Sequence, residues 1–200
     1  APAYLARDLA SIVGERHVRE ARAQRVTYAM DGLPTHRRVP DLVVLPGTRE
    51  ELIAVVRLLA AHNVPFVPRG AGTGLSGGAL ADEGSVLLVL TRLNRIIEID
   101  QANRRATVEP GVVNARLGAA VKPHGLQYAP DPSSQSACTI GGNVAENAGG
   151  PHCLKYGVTA NHILALELLL ADGSLVDIGS RGGEPGGAGL VGLFVGSEGH

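Results

Sequence analysis

The sequence predicts an α+β fold in two lobes, a small parallel β-α-β lobe followed by a larger, mainly antiparallel lobe with flanking helices. Three observations carry this expectation. Residues 42–67 read strand, helix, strand; two later segments alternate in strand fashion about short turns; and glycine supplies 27 of 200 residues in a chain otherwise globular in composition, 44% hydrophobic and 18% charged. So many glycines mean either disorder or a backbone held in special conformations, and the apolar content favours the second.

The elements follow in order. Residues 1–40 form an Arg-rich leader with helical spacing over Tyr4–Val13 and His17–Tyr28, read as a solvated packing element with Arg16, Arg19, Arg22 and Arg25 on one wet face. Leu42-Val43-Val44-Leu45 is a short apolar strand ended by Pro46-Gly47. Thr48 with Glu51 three residues on makes a capping box, and Leu52, Val55, Val56 and Leu59 give the apolar face of a helix that stops at His62-Asn63. Val64–Val67 is the next strand, and a right-handed crossover makes it parallel to the first. Val86–Leu90 is a buried strand, and Arg95–Asp100 with Arg104–Glu109 is an antiparallel hairpin. Asn114–Lys122 is a short helix stopped near Pro123 and Gly125, and Tyr128–Gly157 is a long stretch with almost no periodicity. Ile163–Leu170 and Ser174–Ile178 form a second hairpin, ahead of a glycine-rich run at 182–189 and an apolar tail at Leu190–Val195. The expected division is a leader at 1–40, a first lobe at 41–100 and a second at 101–200.

Charge and cysteine content narrow the function classes. Eighteen Lys and Arg against 19 Asp and Glu leave no basic field for nucleic acid or anionic lipid, so any anion is held locally. Cys138 and Cys153 are too few for a disulfide scaffold and point to a reducing, cytosolic setting. No apolar run approaches a membrane span, and the N-terminus shows no signal-peptide core. His36, His62, His124 and His162 show no metal-ligand spacing, and no metal site is assigned.

The run Pro68-Arg69-Gly70-Ala71-Gly72-Thr73-Gly74-Leu75-Ser76-Gly77-Gly78 follows a strand directly. A backbone without Cβ atoms can turn its N–H groups inward and hold a pyrophosphate without net charge. Three motifs overlap here. Gly72–Gly77 fits the dinucleotide fingerprint, with Glu98 beyond it, but only Ala79–Gly84 precedes the next strand, too short for a crossover helix. A P-loop fails for want of a following Gly-Lys-Ser/Thr. Gly74–Gly78 fits a nucleophile elbow at Ser76, with Asp131 and His152 as later triad members, but again no helix follows.

A second loop runs from Pro130-Asp131-Pro132-Ser133 through Thr139-Ile140-Gly141-Gly142-Asn143-Val144-Ala145-Glu146-Asn147-Ala148-Gly149-Gly150. Its small residues let the backbone approach a flat ring, while Thr139, Asn143 and Asn147 offer hydrogen bonds to the ring's polar edge. Together the two loops suggest a dinucleotide cofactor between the lobes.

These motifs, with Pro40-Asp41, Lys155-Tyr156-Gly157 and Gly196-Ser197-Glu198-Gly199, resemble the FAD-binding domain of vanillyl-alcohol oxidase and p-cresol methylhydroxylase type. Within it, the likeness is to the FAD-linked glycolate oxidase subunit and the D-lactate and D-2-hydroxyglutarate dehydrogenases. The resemblance implies that Arg69, Gly70, Ala71, Gly72, Thr73, Gly74, Leu75, Gly77 and Gly78 hold the pyrophosphate of FAD. It implies that Pro130, Asp131, Pro132, Ser133, Thr139, Ile140, Gly141, Gly142, Asn143, Ala145, Asn147, Gly149 and Gly150 line the ribityl chain and isoalloxazine, and that Gly157, Val158, Ile163 and the tail at 196–199 approach the adenine side or the cofactor's edge. Some relatives tether FAD through a His in the pyrophosphate loop, where Thr73 stands here, or through a Cys offset by one residue from Cys138; the expectation is therefore non-covalent FAD. By the same resemblance the chain is the FAD-binding portion of a flavin-dependent 2-hydroxy-acid dehydrogenase, the substrate-binding half lying outside it. No catalytic base is assigned among these residues, and the portion alone is expected to be inactive. Electrons would pass to a non-nicotinamide acceptor, such as an iron–sulfur subunit, in the cytoplasm or at the inner face of a membrane through a partner. Alternatives left open are a flavoenzyme acting on another alcohol, a cofactor-binding module without turnover, and a serine hydrolase using Ser76.

Overall fold

The computed structural model describes residues 3–180 and 189–199; of the glycine-rich run expected at 182–189, all but Gly189 lies outside them. The fold is mixed α+β and divides into two compact units, one comprising the residues up to Leu93 with Leu168–Val176, the other Asn94–Glu167 with the residues from Asp177 on.

The first unit holds helices α1 (Ala3–Val13), α2 (Arg22–Arg25) and α3 (Arg49–Ala61), and strands β1 (Val18–Arg19), β2 (Leu42–Val44), β3 (Phe66–Arg69) and β4 (Val86–Val89). The sheet order is β1-β2-β4-β3. The two strands of the β-α-β unit are thus parallel as expected but not neighbours, because β4 enters between them and pairs in parallel with both. Every residue of β4 is buried, and alternate side chains feed opposite faces. Leu42, Val44, Val86 and Leu88 pack on one face with Leu5 and Leu9 of α1 and Val55, Val56 and Leu59 of α3; Val43, Leu87 and Val89 pack on the other with Ala81, Tyr28 and Val67.

The leader differs from its expectation. Leu5 and Leu9 are fully buried, so the apolar stripe of α1 is core rather than a solvated support. The helix expected over His17–Tyr28 breaks into a 3-10 turn, β1, α2 and a second 3-10 turn. Val18 and Arg19 are taken instead by the open edge of β2, where they pair antiparallel with Val44 and Val43. The start of α3 follows the sequence reading with one change. The Thr48 hydroxyl accepts from the Glu51 N–H at 3.1 Å, while the Glu51 carboxylate takes the N–H of Gly47, one residue before the cap, at 2.6 Å.

In the second unit β5 (Ile96–Asp100) and β6 (Arg105–Val108) form the expected antiparallel hairpin, with a register shift between Ile96 and Glu98. The Asp100 carboxylate closes its turn, accepting from Asn103 N–H at 3.1 Å, Asn103 Nδ2 at 2.7 Å and Arg105 Nε at 3.0 Å. Then come α4 (Asn114–Val121), α5 (Ile140–Glu146) and α6 (Cys153–Tyr156). The stretch without periodicity therefore contains two short helices. Strands β7 (Ala165–Leu169) and β8 (Leu175–Gly179) pair as a hairpin, and α7 (Leu190–Phe194) follows. The hairpin tip belongs to the first unit, where the Arg57 Nε of α3 donates to the Gly173 carbonyl at 3.2 Å.

If α1 is core, Leu9→Ala lowers unfolding free energy by roughly 2–5 kcal/mol, the cost of a buried Leu truncation, whereas exposed Arg16→Ala stays within about 0.5 kcal/mol of wild type. Urea unfolding of both variants checks this; equal effects would return the leader to the surface.

Candidate functional site

The glycine loop is built around its own first residue. Arg69, the last residue of β3, is 7% exposed, although a guanidinium in a near-neutral chain is ordinarily solvated. Its Nη1 donates to the Ala79 carbonyl at 3.1 Å and its Nη2 to the Met30 carbonyl at 2.7 Å, so it clasps both ends of the loop. Burial lowers the guanidinium pKa, and the nearby Asp31 carboxylate acts in the opposite direction. Gly72, at φ +70°, passes so close that a Cβ there would overlap the guanidinium. The glycine is thus required by the buried arginine, a different reason from the ligand approach inferred from sequence. The amides of Ala71, Gly72, Thr73 and Leu75 make no hydrogen bond to any described residue, whereas the Gly77 N–H donates to Asp31 Oδ2 at 3.1 Å. Unspent backbone donors thus lie in the loop whose Gly72 passes against a buried cation, an arrangement that suits an anion.

The second loop is organised by side-chain amides. Thr139 caps α5, its hydroxyl accepting from Gly142 N–H at 3.2 Å, and Val113 and Thr139 form an isolated antiparallel bridge. Asn143, buried on α5, donates to Cys138 Sγ at 3.2 Å and accepts from Asn114 Nδ2 at 2.8 Å, and the same Asn114 amide donates to the Pro130 carbonyl at 3.0 Å. Asn147 ends α5 in the left-handed conformation, and its Oδ1 accepts from Ala160 N–H at 2.9 Å. The three polar side chains expected at a ring edge are therefore engaged within the protein. What the loop presents outward is small: Gly141, Gly142, Ala145, Ala148 and Gly149 are all part-exposed. Gly141 and Gly150 also have internal reasons to lack a side chain, since a Cβ at Gly141 would stand 2.7 Å from that of Pro110 and one at Gly150 would overlap Asp131.

Asp131 clasps the loop's two ends. Its Oδ1 accepts from the His152 N–H at 3.3 Å, and its Oδ2 lies 2.5 Å from His152 Nδ1. The imidazole hydrogen bond holds the Asp131 carboxyl below the usual carboxylate range. Beside this, the Tyr128 hydroxyl is buried without a hydrogen-bond partner among the described residues, and burial pushes its pKa up to about 12 against the opposing influence of Thr159. Tyr128 packs against the cluster of Leu117 and Val121 of α4 and Ile140 of α5, and its orphaned buried hydroxyl is a polar atom that a hydrogen-bonding ligand would satisfy. Pro132 and Ser133 begin the turns leading to Cys138, where Gln135 N–H donates to the Pro132 carbonyl at 2.8 Å. Gly157, Val158 and Ile163 flank a 3-10 turn tied to the same loop through Thr159, whose N–H and hydroxyl both donate to the Ala148 carbonyl, at 3.0 and 2.7 Å. The tail reaches the end of α5, with Gly196 N–H on Val144 O at 2.9 Å and Glu198 N–H on Ala145 O at 2.8 Å.

Sequence reasoning missed Met30, Asp31 and Gly32, which touch the glycine loop from the leader, and Tyr128. Nothing in their local spacing announces these contacts. The elbow reading of Ser76 loses its context, since the described chain between β3 and β4 contains no helix.

A family model described as FAD binding domain matches residues 40–179. The chain is 52% identical over 174 residues to the glycolate oxidase subunit GlcD of Escherichia coli (strain K12), covering 87% of this chain and 35% of that protein. It is 38% identical over 161 residues to a D-lactate dehydrogenase of Anaerostipes hadrus, covering 80% and 34%. Among solved structures, p-cresol methylhydroxylase with substrate bound superposes with a TM-score of 0.81 at 25% identity, over 96% of this chain and 40% of that one. The chain spans about a third of the length of these curated relatives. No helix among the described residues is long and apolar enough to cross a membrane.

Two tests follow. Gly77 is also left-handed, at φ +86°, but a Cβ there meets nothing within 4 Å. Gly77→Ala therefore costs about 1–2 kcal/mol of backbone strain, while Gly72→Ala adds roughly 1–3 kcal/mol for displacing a buried guanidinium hydrogen-bonded to two carbonyls; equal losses in chemical unfolding would show that Arg69 does not pack under Gly72. For Asp131, a carboxyl whose pKa is lower folded than unfolded contributes stability above the unfolded value, about 4, and loses it as pH falls through the folded value. The advantage of wild type over Asp131→Asn is accordingly full at neutral pH and shrinks below about pH 4. Melting curves of the two proteins between neutral and acid pH read this directly, and a constant gap contradicts it.

Proposed function

The chain belongs to the FAD binding domain family, and from that premise we propose that it is the FAD-holding portion of a flavin-dependent 2-hydroxy-acid dehydrogenase, with the cofactor bound non-covalently. The observation that carries the reading is the glycine loop, which sets the unengaged amides of Ala71, Gly72, Thr73 and Leu75 above the buried Arg69 guanidinium. In this reading the loop from Gly70 to Gly78 receives the pyrophosphate on backbone N–H groups, and Arg69 acts from below as a fixed positive charge rather than as a direct ligand. The small-residue surface of Gly141, Gly142, Ala145 and Gly149 receives the flavin ring, and Tyr128 offers its unspent hydroxyl. Bound FAD supplies the two-electron acceptor that no amino-acid side chain provides.

Non-covalent attachment is supported by the state of Cys138. Cys138 is 3% exposed and its sulfur accepts from Asn143 Nδ2 at 3.2 Å, which places the thiol inside the packed amide cluster. Thr73, in the pyrophosphate loop, carries no imidazole or thiol. The names of the two relatives, glycolate oxidase subunit and D-lactate dehydrogenase, favour a small 2-hydroxy acid over other alcohols. The word subunit in the first favours a separate electron-accepting partner, such as an iron–sulfur protein, and with it a peripheral place at a membrane's inner face. We assign the substrate carboxylate site and the base that takes the hydroxyl proton to parts of the protein beyond these 200 residues.

Acid precipitation of the flavin-loaded chain is expected to leave the yellow colour in the supernatant; colour that stays with the pellet overturns the non-covalent reading. The loaded chain is further expected to reduce no dye with glycolate or D-lactate, and steady turnover would mean that the proton acceptor lies within it, with His152, held by Asp131, the first residue to replace.

A further inference from the structure

The leader segment Met30-Asp31-Gly32 touches the glycine loop at its start, tip and end. The Met30 carbonyl accepts from Arg69 Nη2 at 2.7 Å, the Gly32 N–H donates to the Gly74 carbonyl at 2.9 Å, and Asp31 Oδ2 accepts from the Gly77 N–H at 3.1 Å. The other Asp31 oxygen takes the Leu33 N–H at 2.8 Å, so both oxygens are committed and the carboxylate is held in one orientation. Gly32 runs against the loop backbone so closely that a Cβ would lie 2.7 Å from the Thr73 carbonyl and 2.8 Å from that of Gly74. The segment is itself closed at its base, where the Arg38 N–H donates to the carbonyl of fully buried Ala29 at 2.9 Å.

We infer that Asp31 is a positioning residue for cofactor binding: with Gly32 it straps the glycine loop into one shape before its unbonded amides meet a ligand. The physical reason is entropic. Fixing each backbone residue costs about 1–2 kcal/mol, and a stretch with five glycines between Gly70 and Gly78 has more freedom to lose than an ordinary stretch of its length. The sheet fixes the loop only at its Arg69 end, where that residue pairs with Val89. The strap supplies the remaining fixed points before any ligand arrives, and a ligand binding a loop that is only fractionally in its competent shape loses affinity by that fraction. The same carboxylate also opposes the lowering of the Arg69 pKa by burial.

This assignment rests on the flavin reading for its ligand but not for its geometry, and the test separates the two. Wild type, Asp31→Ala and Asp31→Asn are compared for amide hydrogen exchange of the strap–loop segment without ligand, read at the hydrogen-bonded N–H groups of Gly32 and Gly77, for thermal unfolding, and for FAD affinity by quenching of flavin fluorescence. The expected result is that Asp31→Ala speeds exchange of that segment and raises the FAD Kd at least tenfold while its unfolding midpoint falls less than that of Leu9→Ala. Asp31→Asn lies between, because one amide oxygen replaces two acceptors. Wild-type exchange and wild-type affinity in Asp31→Ala overturn the strap. A wild-type chain that takes up no FAD overturns the flavin reading instead, and the exchange rates, which need no ligand, then decide the strap alone.

Discussion

The structure depends most on the burial of one guanidinium. Arg69 cannot shed its charge, and its donors must all find acceptors once water is excluded. Its backbone is fixed by the sheet, because it pairs with Val89 at the end of β4, the strand buried along its whole length. With the Cα fixed and the head group buried, the chain beyond Arg69 has to return its own carbonyl at Ala79 and borrow another at Met30. The loop's path follows from that demand. Gly72 stands where the backbone passes the guanidinium, and its missing Cβ is what allows the passage. A cation that would be a liability in an apolar core thus becomes the template for the loop.

The second loop solves its folding problem without charge in its interior. Asn114, Asn143 and Cys138 are all buried and satisfy one another, and the Pro130 carbonyl is tied into the same cluster. Such a network is costly if any member is missing, so it fixes α5 and the Pro130 segment together. The hydrogen-bonded clasp of Asp131 and His152 sits outside this cluster, where water can still reach the imidazole. The polar side chains that the sequence offers for ligand recognition are therefore mostly structural, and what the loop exposes is backbone and small residues.

Much of the fold was legible in the sequence because its signals are local. The Thr48 cap, the apolar face of α3, the alternation of β5 and β6 and the uninterrupted Val86–Val89 run each declare an element within a few residues. What escaped was decided elsewhere in the chain. Val18 and Arg19 are a strand only because β2 leaves an edge open, and that information lies more than twenty residues away. Helix α5 was hidden because Gly141 and Gly142 weaken helix propensity and mimic a loop, and Thr139, its cap in the structure, was read as a contact to a ring edge. The candidate site divides the same way. The two glycine-rich loops were recognisable as motifs, but the burial of Arg69, the engagement of Asn143 and the part played by residues 30–32 depend on contacts that spacing does not encode.

The charge balance of the chain acquires a local meaning from these contacts. A net charge of −1 suggested that any diphosphate would be gripped by amides alone, yet the loop has a full positive charge beneath it. Asp31, bonded to the same loop at Gly77, brings a negative charge that offsets it. The two together present little net field to an approaching anion, so attraction at a distance is weak and discrimination falls to the positions of the free N–H groups at short range. Selection by fixed amide geometry requires that the loop hold still. Arg69 from below and the leader from the side are the two attachments that make it do so.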